Sequence, residues 1–126
     1  MLRTNVASGA KWESLIGYSR LTKVGPHIFV SGTAPSVEAR SADAYEQTKS
    51  VLRMIERSLS QVGAAFGDVV RTRMFVTNIA RDWGSIGKAH AEVFGMVRPV
   101  TSMVEVRRLI EDWMLVEIEV DAITAG

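Results

Sequence analysis

Apolar and polar positions along the 126 residues alternate with two different periods, and the switches between them mark the elements. Leu21 to Val24 and His27 to Ser31 read as two short strands turned at Gly25-Pro26, with Gly32 ending the second. Residues 33–42 read as a loop. Over residues 43–62, Ala44, Thr48, Val51, Leu52, Ile55, Leu59 and Val62 recur every three or four positions, the stripe of an amphipathic helix. Asp43 with Glu46 forms a capping pattern at its start, and Gly63 suits the turn after its end. Residues 68–77 alternate as a strand, with Val70, Thr72, Met74 and Val76 on one face. Val69, Arg71, Arg73, Phe75 and Thr77 take the other. A second, weaker helix is predicted over residues 82–94, striped by Trp83, Ile86, His90, Val93 and Phe94 and interrupted by Gly84 and Gly87. Thr101 to Val106 and Met114 to Ala122 read as closing strands. In the last, Val116, Ile118, Val120 and Ala122 oppose Leu115, Glu117, Glu119 and Asp121.

The resulting order, ββ, α, β, α, ββ, predicts an α+β domain in which a mixed sheet carries both helices on one face. Residues 1–126 read as one domain, with residues 1–14 as a mobile N-terminal arm. The second sheet face is left with Arg71, Arg73, Phe75, Glu117 and Glu119. Such a mixture of charge and bulk fits a solvated face, or a face that packs on another subunit with opposite charges paired.

Composition removes several classes of chemistry. A net charge of +1 disfavours a nucleic-acid binder, which needs clustered cations. The chain has no cysteine, which excludes disulfides, thiolate nucleophiles and cysteine-held metals. No apolar run approaches the roughly 20 residues that span a bilayer, and the first residues lack the apolar core of a secretory signal. A cytoplasmic protein is therefore expected. His27 and His90 stand without HxH or HxxxH neighbours and read as structural rather than metal ligands. No GxSxG elbow, GxGxxG turn or phosphate loop is present, so no cofactor is expected. The remaining reactive groups are carboxylates. Glu117 and Glu119 project from one strand face, where a pair can share a proton or hold a water; a salt-bridged strand face gives the same pattern.

Four stretches, GYSRLTKVGPHIFVSGTAP, GDVVRTRMFVTNI, AHAEVFGMVRP and SMVEVRRLIEDWMLVEIEV, resemble in order and spacing the RidA (YjgF) family of reactive-intermediate deaminases. The resemblance spans roughly Leu15 to Ile123. It implies a chorismate-mutase-like fold, a six-stranded sheet with two helices on one face. It also implies a homotrimer built around a central barrel, with small-molecule clefts between subunits. The implied chemistry is cofactor-free hydrolysis of enamines and imines to ketones and ammonia. The family tyrosine, the serine at the SG strand end and the water-associated glutamate match Tyr18, Ser31 (followed by Gly32) and Glu119. The arginine that binds the substrate carboxylate, in a pattern like PxRSxVEV, is replaced by Thr101. Met103 stands for the motif's usual cysteine, and Gly87 for a cleft asparagine on the second helix. A bidentate arginine–carboxylate contact contributes about 1.5–3 kcal/mol, which a threonine cannot supply. The resemblance thus implies a deaminase-type hydrolase with specificity away from 2-aminoacrylate, with Glu119 orienting water. A non-catalytic metabolite-binding or regulatory trimer is the alternative. An endoribonuclease or translation inhibitor, a name attached to the family, ranks third.

Overall fold

The strongest sequence signal, the stripe over residues 43–62, forms the helix α2 (Ala44–Ser60) in the computed structural model, which describes residues 1–125. Asp43 is its N-cap: the side chain accepts a hydrogen bond from the Glu46 amide at 2.9 Å. Gly63 follows the helix with φ +74°, a left-handed conformation that a side chain strains. Because an N-cap carboxylate satisfies an otherwise orphaned amide, Asp43→Ala is expected to cost about 1 kcal/mol in urea unfolding, with an unchanged slope.

The other elements are β1 (Arg3–Val6), α1 (Lys11–Ile16), β2 (Leu21–Val24), β3 (His27–Thr33), β4 (Val69–Val76), α3 (Ile79–Phe94), β5 (Val100–Glu105) and β6 (Val116–Ile123). The strands form one sheet in the order β1-β2-β3-β6-β4-β5. Only β4 and β5 run parallel, joined by α3 as a crossover; every other pair is antiparallel. The core lies between one sheet face and the pair α2 and α3. Leu21, Ile28, Val76, Val116, Ile118 and Val120 from the sheet meet Val51, Ile55, Leu59, Ile86 and Phe94 from the helices, all almost wholly buried. Buried Gln47 ties α2 to the lead-in of β6: its amide donates to the Trp113 carbonyl at 3.0 Å and accepts from the Leu115 amide at 2.8 Å. This pairing leaves neither end of the side chain unsatisfied.

Four sequence expectations change. Residues 1–14 are not an arm. Arg3–Val6 pairs in register with β2, Arg3 opposite Val24 and Val6 opposite Leu21, and Asn5 accepts from the Thr22 hydroxyl at 3.1 Å. The strand lies at a sheet edge and is exposed along most of its length, so it carries no apolar alternation to read. In β4, Val69 rather than Val70 enters the core, because the register with β6 shifts between Val69 and Arg71. The second helix starts earlier, at Ile79, capped by Asn78, whose side chain accepts from the Arg81 amide at 3.1 Å. Its buried positions are Asp82, Ile86, Ala89 and Phe94, while Trp83 is exposed. Finally, β3 runs through Gly32 to Thr33 by way of an irregularity between Val30 and Thr33.

Candidate functional site

The alternation of β6 sets the geometry. Ile118 and Val120 are fully buried under the helices, so Glu117, Glu119 and Asp121 project from the opposite, open face. Register places Phe75 opposite Glu117, Arg73 opposite Glu119 and Arg71 opposite Asp121. The charges pair across the strands. Arg73 Nη1 lies 3.5 Å from Glu119 Oε1 and 3.4 Å from Asp121 Oδ2, and Arg71 Nε lies 3.9 Å from the same Asp121 oxygen. The leftover face is therefore an ion-paired ladder, and it also carries half-exposed Phe29, Val100 and Val104.

The strand end of β3 joins this face. The Ser31 hydroxyl donates to the Ser19 carbonyl at 2.6 Å, and the Arg20 guanidinium donates to the Gly32 carbonyl at 2.6 Å. Arg20 also lies over the Tyr18 ring, 6.0 Å from its centroid. A Cβ on residue 32 would stand 2.5 Å from Glu117 Oε2, so glycine there admits the Glu117 carboxylate against the strand. Tyr18, Ser31, Gly32 and Glu119 are thus neighbours of one open face, together with Arg20 and Glu117. Sequence reasoning passed over Arg20, whose Nε is buried and unpartnered.

Glu117 is half-buried, and burial pushes its carboxyl above the ordinary value of 4.5; nearby Arg20 opposes the shift and Glu119 adds to it. An acid raised in the fold is harder to ionise there than in the unfolded chain, so its charge costs stability once the pH rises through the folded value. Glu117→Gln is accordingly expected to raise the thermal midpoint at pH 7 and to leave it unchanged at pH 3, where the carboxyl is protonated in both states. Calorimetry at the two pH values checks this.

Thr101, Met103 and Gly87 lie elsewhere. Thr101 pairs with buried Thr72 and Met103 with buried Met74, so both point to the helix side of the sheet, at the edge strand β5. Gly87 sits one turn before His90 on α3, and a Cβ on it would meet nothing within 4 Å. Among them runs a hydrogen-bonded chain that the sequence did not reveal: His90 Nε2 is 2.9 Å from Thr72 Oγ1, which is 2.6 Å from Thr101 Oγ1. The ring of His90 also packs against Phe94 at 4.7 Å, and burial holds its pKa below the ordinary value. Knowing the parallel pairing of β4 and β5 would have put Thr72 beside Thr101; nothing in the spacing brings His90 to them. Arg98, the nearest arginine in sequence, turns away in a left-handed conformation (φ 55°) and donates to the Gly95 carbonyl at 3.0 Å.

The candidate residues thus fall into two sets on opposite faces of the sheet. A groove of about 290 Å³ between α2 and α3 is lined by Lys49, Arg53, Phe66 and Glu92 among others and includes none of them. Among the described residues no cluster of three or more His, Asp or Glu side chains could hold a metal, and no helix is long and apolar enough to cross a membrane.

The family model described as endoribonuclease L-PSP matches residues 9–124. The chain belongs to this family, the RidA/YjgF proteins. Among its relatives are an uncharacterized protein of Streptomyces coelicolor, 34% identical over 93% of this chain and 89% of that one. A RutC family protein of Pyrococcus abyssi is 36% identical over 81% and 82% of the two chains. The solved structure of a Mycobacterium tuberculosis member of the YjgF family superposes with a TM-score of 0.91 at 50% identity, covering 98% of this chain and all of that one. This RidA/YjgF chain shares with it the sheet and helix arrangement described above.

Proposed function

We propose that this RidA/YjgF protein is a cytoplasmic homotrimer that hydrolyses the C=N bond of a small imine or enamine in clefts between subunits. The observation that carries the reading is the division of its candidate residues. Tyr18, Ser31, Gly32 and Glu119 lie on the open face, and Thr101, Met103 and Gly87 lie on the helix side of the β5 edge. A cleft containing both sets needs the open face of one copy beside the edge strand of another. The open face also suits association, since its charges are already paired and Phe29, Val100 and Val104 offer apolar surface.

In such a cleft the Glu119 carboxylate accepts a proton from a water as its oxygen bonds to the imine carbon. The nitrogen takes up that proton to give a carbinolamine; the hydroxyl proton then passes to the nitrogen by way of the same carboxylate, the C–N bond breaks as the C=O bond forms, and ketone and ammonia leave, so water and imine account for every atom. The Ser31 hydroxyl proton is committed to the Ser19 carbonyl, so the oxygen's lone pairs are available to an N–H of the substrate.

The alternative, a metabolite-binding trimer without catalysis, draws on the Arg73–Glu119 ion pair, which occupies the carboxylate that catalysis needs. A ribonuclease, the activity in the family description, fits this chain less well. The net charge is +1, and His27 and His90 lie on opposite sides of the sheet.

The test is imine hydrolysis by the purified trimer. An amino-acid oxidase supplies imines from neutral and charged amino acids, and semicarbazide traps whatever is not hydrolysed. Faster loss of imine for at least one substrate supports the reading. No acceleration across the panel by a folded trimer refutes it in favour of the binding protein.

A further inference from the structure

The geometry points to Thr101 as a hydrogen-bond acceptor that selects a ligand carrying a neutral N–H donor, such as a primary carboxamide, where an arginine would select a carboxylate. This rests on the cleft reading above, which puts the β5 edge against the ligand. The argument itself is a count of protons in the chain His90–Thr72–Thr101.

A threonine hydroxyl has one proton to donate and two lone pairs to accept with. The two hydroxyl oxygens are 2.6 Å apart, so one proton lies between them. Two arrangements satisfy the chain. In the first, Thr101 donates to Thr72, and Thr72 donates to Nε2 of His90 at 2.9 Å. In the second, Nε2 carries a proton and donates to Thr72, Thr72 donates to Thr101, and Thr101 donates to the Thr72 carbonyl at 3.1 Å. A doubly protonated His90 gives the second arrangement again. In both, the Thr101 proton is spent inside the protein, and the oxygen keeps at least one lone pair for a ligand.

The placement fits this role. Thr72 is fully buried, so of the two hydroxyls it is Thr101, exposed on the edge strand, that can meet a ligand. Gly87, on the helix that covers this side of the sheet, would meet nothing within 4 Å if it carried a Cβ. An acceptor there attracts N–H and repels a carboxylate oxygen, which brings only lone pairs. An arginine at this position would have brought five N–H donors and a positive charge. The substitution therefore inverts the polarity of the group recognised, beyond weakening one contact. His90 and Thr72 are positioning residues that hold the Thr101 proton away from the ligand.

Pyruvamide and pyruvate test this, because they differ only by NH₂ in place of O⁻ at the discriminating group. Binding of each is measured by calorimetry to the assembled protein and to Thr101→Ser, Thr101→Val and Thr72→Val, each checked for folding and assembly. The wild type is expected to bind pyruvamide at least about tenfold more tightly, and Thr101→Ser to keep that preference. Thr101→Val should bring the two within about twofold, since it removes the acceptor. Thr72→Val leaves Thr101 in place with only the residue-72 carbonyl, at 3.1 Å, still competing for its proton, so pyruvate binding should improve; a purely structural role for Thr72 would weaken both ligands alike. Pyruvate bound as tightly as pyruvamide by the wild type overturns the inference. So does a preference unchanged in both Thr101→Val and Thr72→Val, or no binding of either ligand at millimolar concentration. Imine hydrolysis on the same preparations separates the two ideas: a protein that hydrolyses imines yet favours pyruvate keeps the deaminase reading and loses the acceptor site.

Discussion

Glu119→Gln is expected to lower imine hydrolysis about 10²–10⁴-fold, the usual contribution of a positioned general base. The amide keeps the size and one acceptor oxygen of the carboxylate, so substrate binding and the β4–β6 register should survive. What is lost is the ability to take a proton from water. The fold should barely notice. The Arg73–Glu119 contact joins side chains that are 39% and 38% exposed, and ion pairs of that kind contribute about 0–1 kcal/mol. Arg73 also retains Asp121 at 3.4 Å. The expected signature is a large fall in kcat with a thermal midpoint within a degree or two of the wild type. Glu117 lies two residues away on the same face and is the control. A rate that survives Glu119→Gln but collapses in Glu117→Gln would transfer the role of base to Glu117, whose carboxyl burial holds above its ordinary value. A rate that survives both would remove carboxylate catalysis altogether.

Phe94→Ala is expected to cost about 3–5 kcal/mol of unfolding free energy. Phe94 closes α3, is only 2% exposed, and meets Phe66 edge-on at 5.2 Å with the rings 76° apart. Removing the ring discards its apolar burial, forfeits that aromatic contact and leaves a cavity between α3, the sheet and the turn before β4. For a domain whose total stability is of order 5–15 kcal/mol, that is a large fraction. Urea unfolding at fixed protein concentration should show the midpoint falling with the slope unchanged; a cost below about 1 kcal/mol would mean that the site collapses to fill the space. His90 rests on the same ring, so the variant should also loosen the hydrogen bond between His90 and Thr72. Its preference between pyruvamide and pyruvate should then narrow, though Phe94 is placed in contact with neither.

Much of the architecture was readable where a long period met a clear cap. The stripe from Ala44 to Leu59, bounded by Asp43, reports burial directly, because residues three and four apart on a helix share one environment. β6 was readable for the same reason with period two: Val116, Ile118 and Val120 alternate with three acids. Short edge elements were not. β1 contributes four exposed residues, and its pairing depends on hydrogen bonds to β2 rather than on side-chain character. The face of Val69 and Val70 is not legible because an inserted residue changes the phase of a strand, and nothing in two adjacent valines announces it. The start of α3 is not legible because its first turn, Ile79 to Asp82, carries a single large apolar residue, too few to show a period, although Asn78 is a good cap.

The sequence alone determined the class of fold, the family, and the placement of Glu117 and Glu119 on one strand face. Each is a local property: the periodicity of side chains, a turn residue, a motif. The tertiary structure alone decided that Glu119 pairs with Arg73, that Arg20 reaches the Gly32 carbonyl, and that Glu119 and Thr101 lie on opposite faces of the sheet. It alone joined His90 on α3 to Thr72 on β4 and Thr101 on β5. The physical reason is strand order. Which strands become neighbours, and whether they run parallel, follows from packing the whole chain around one core. Contacts between residues 18 or 29 positions apart exist only once that packing is complete.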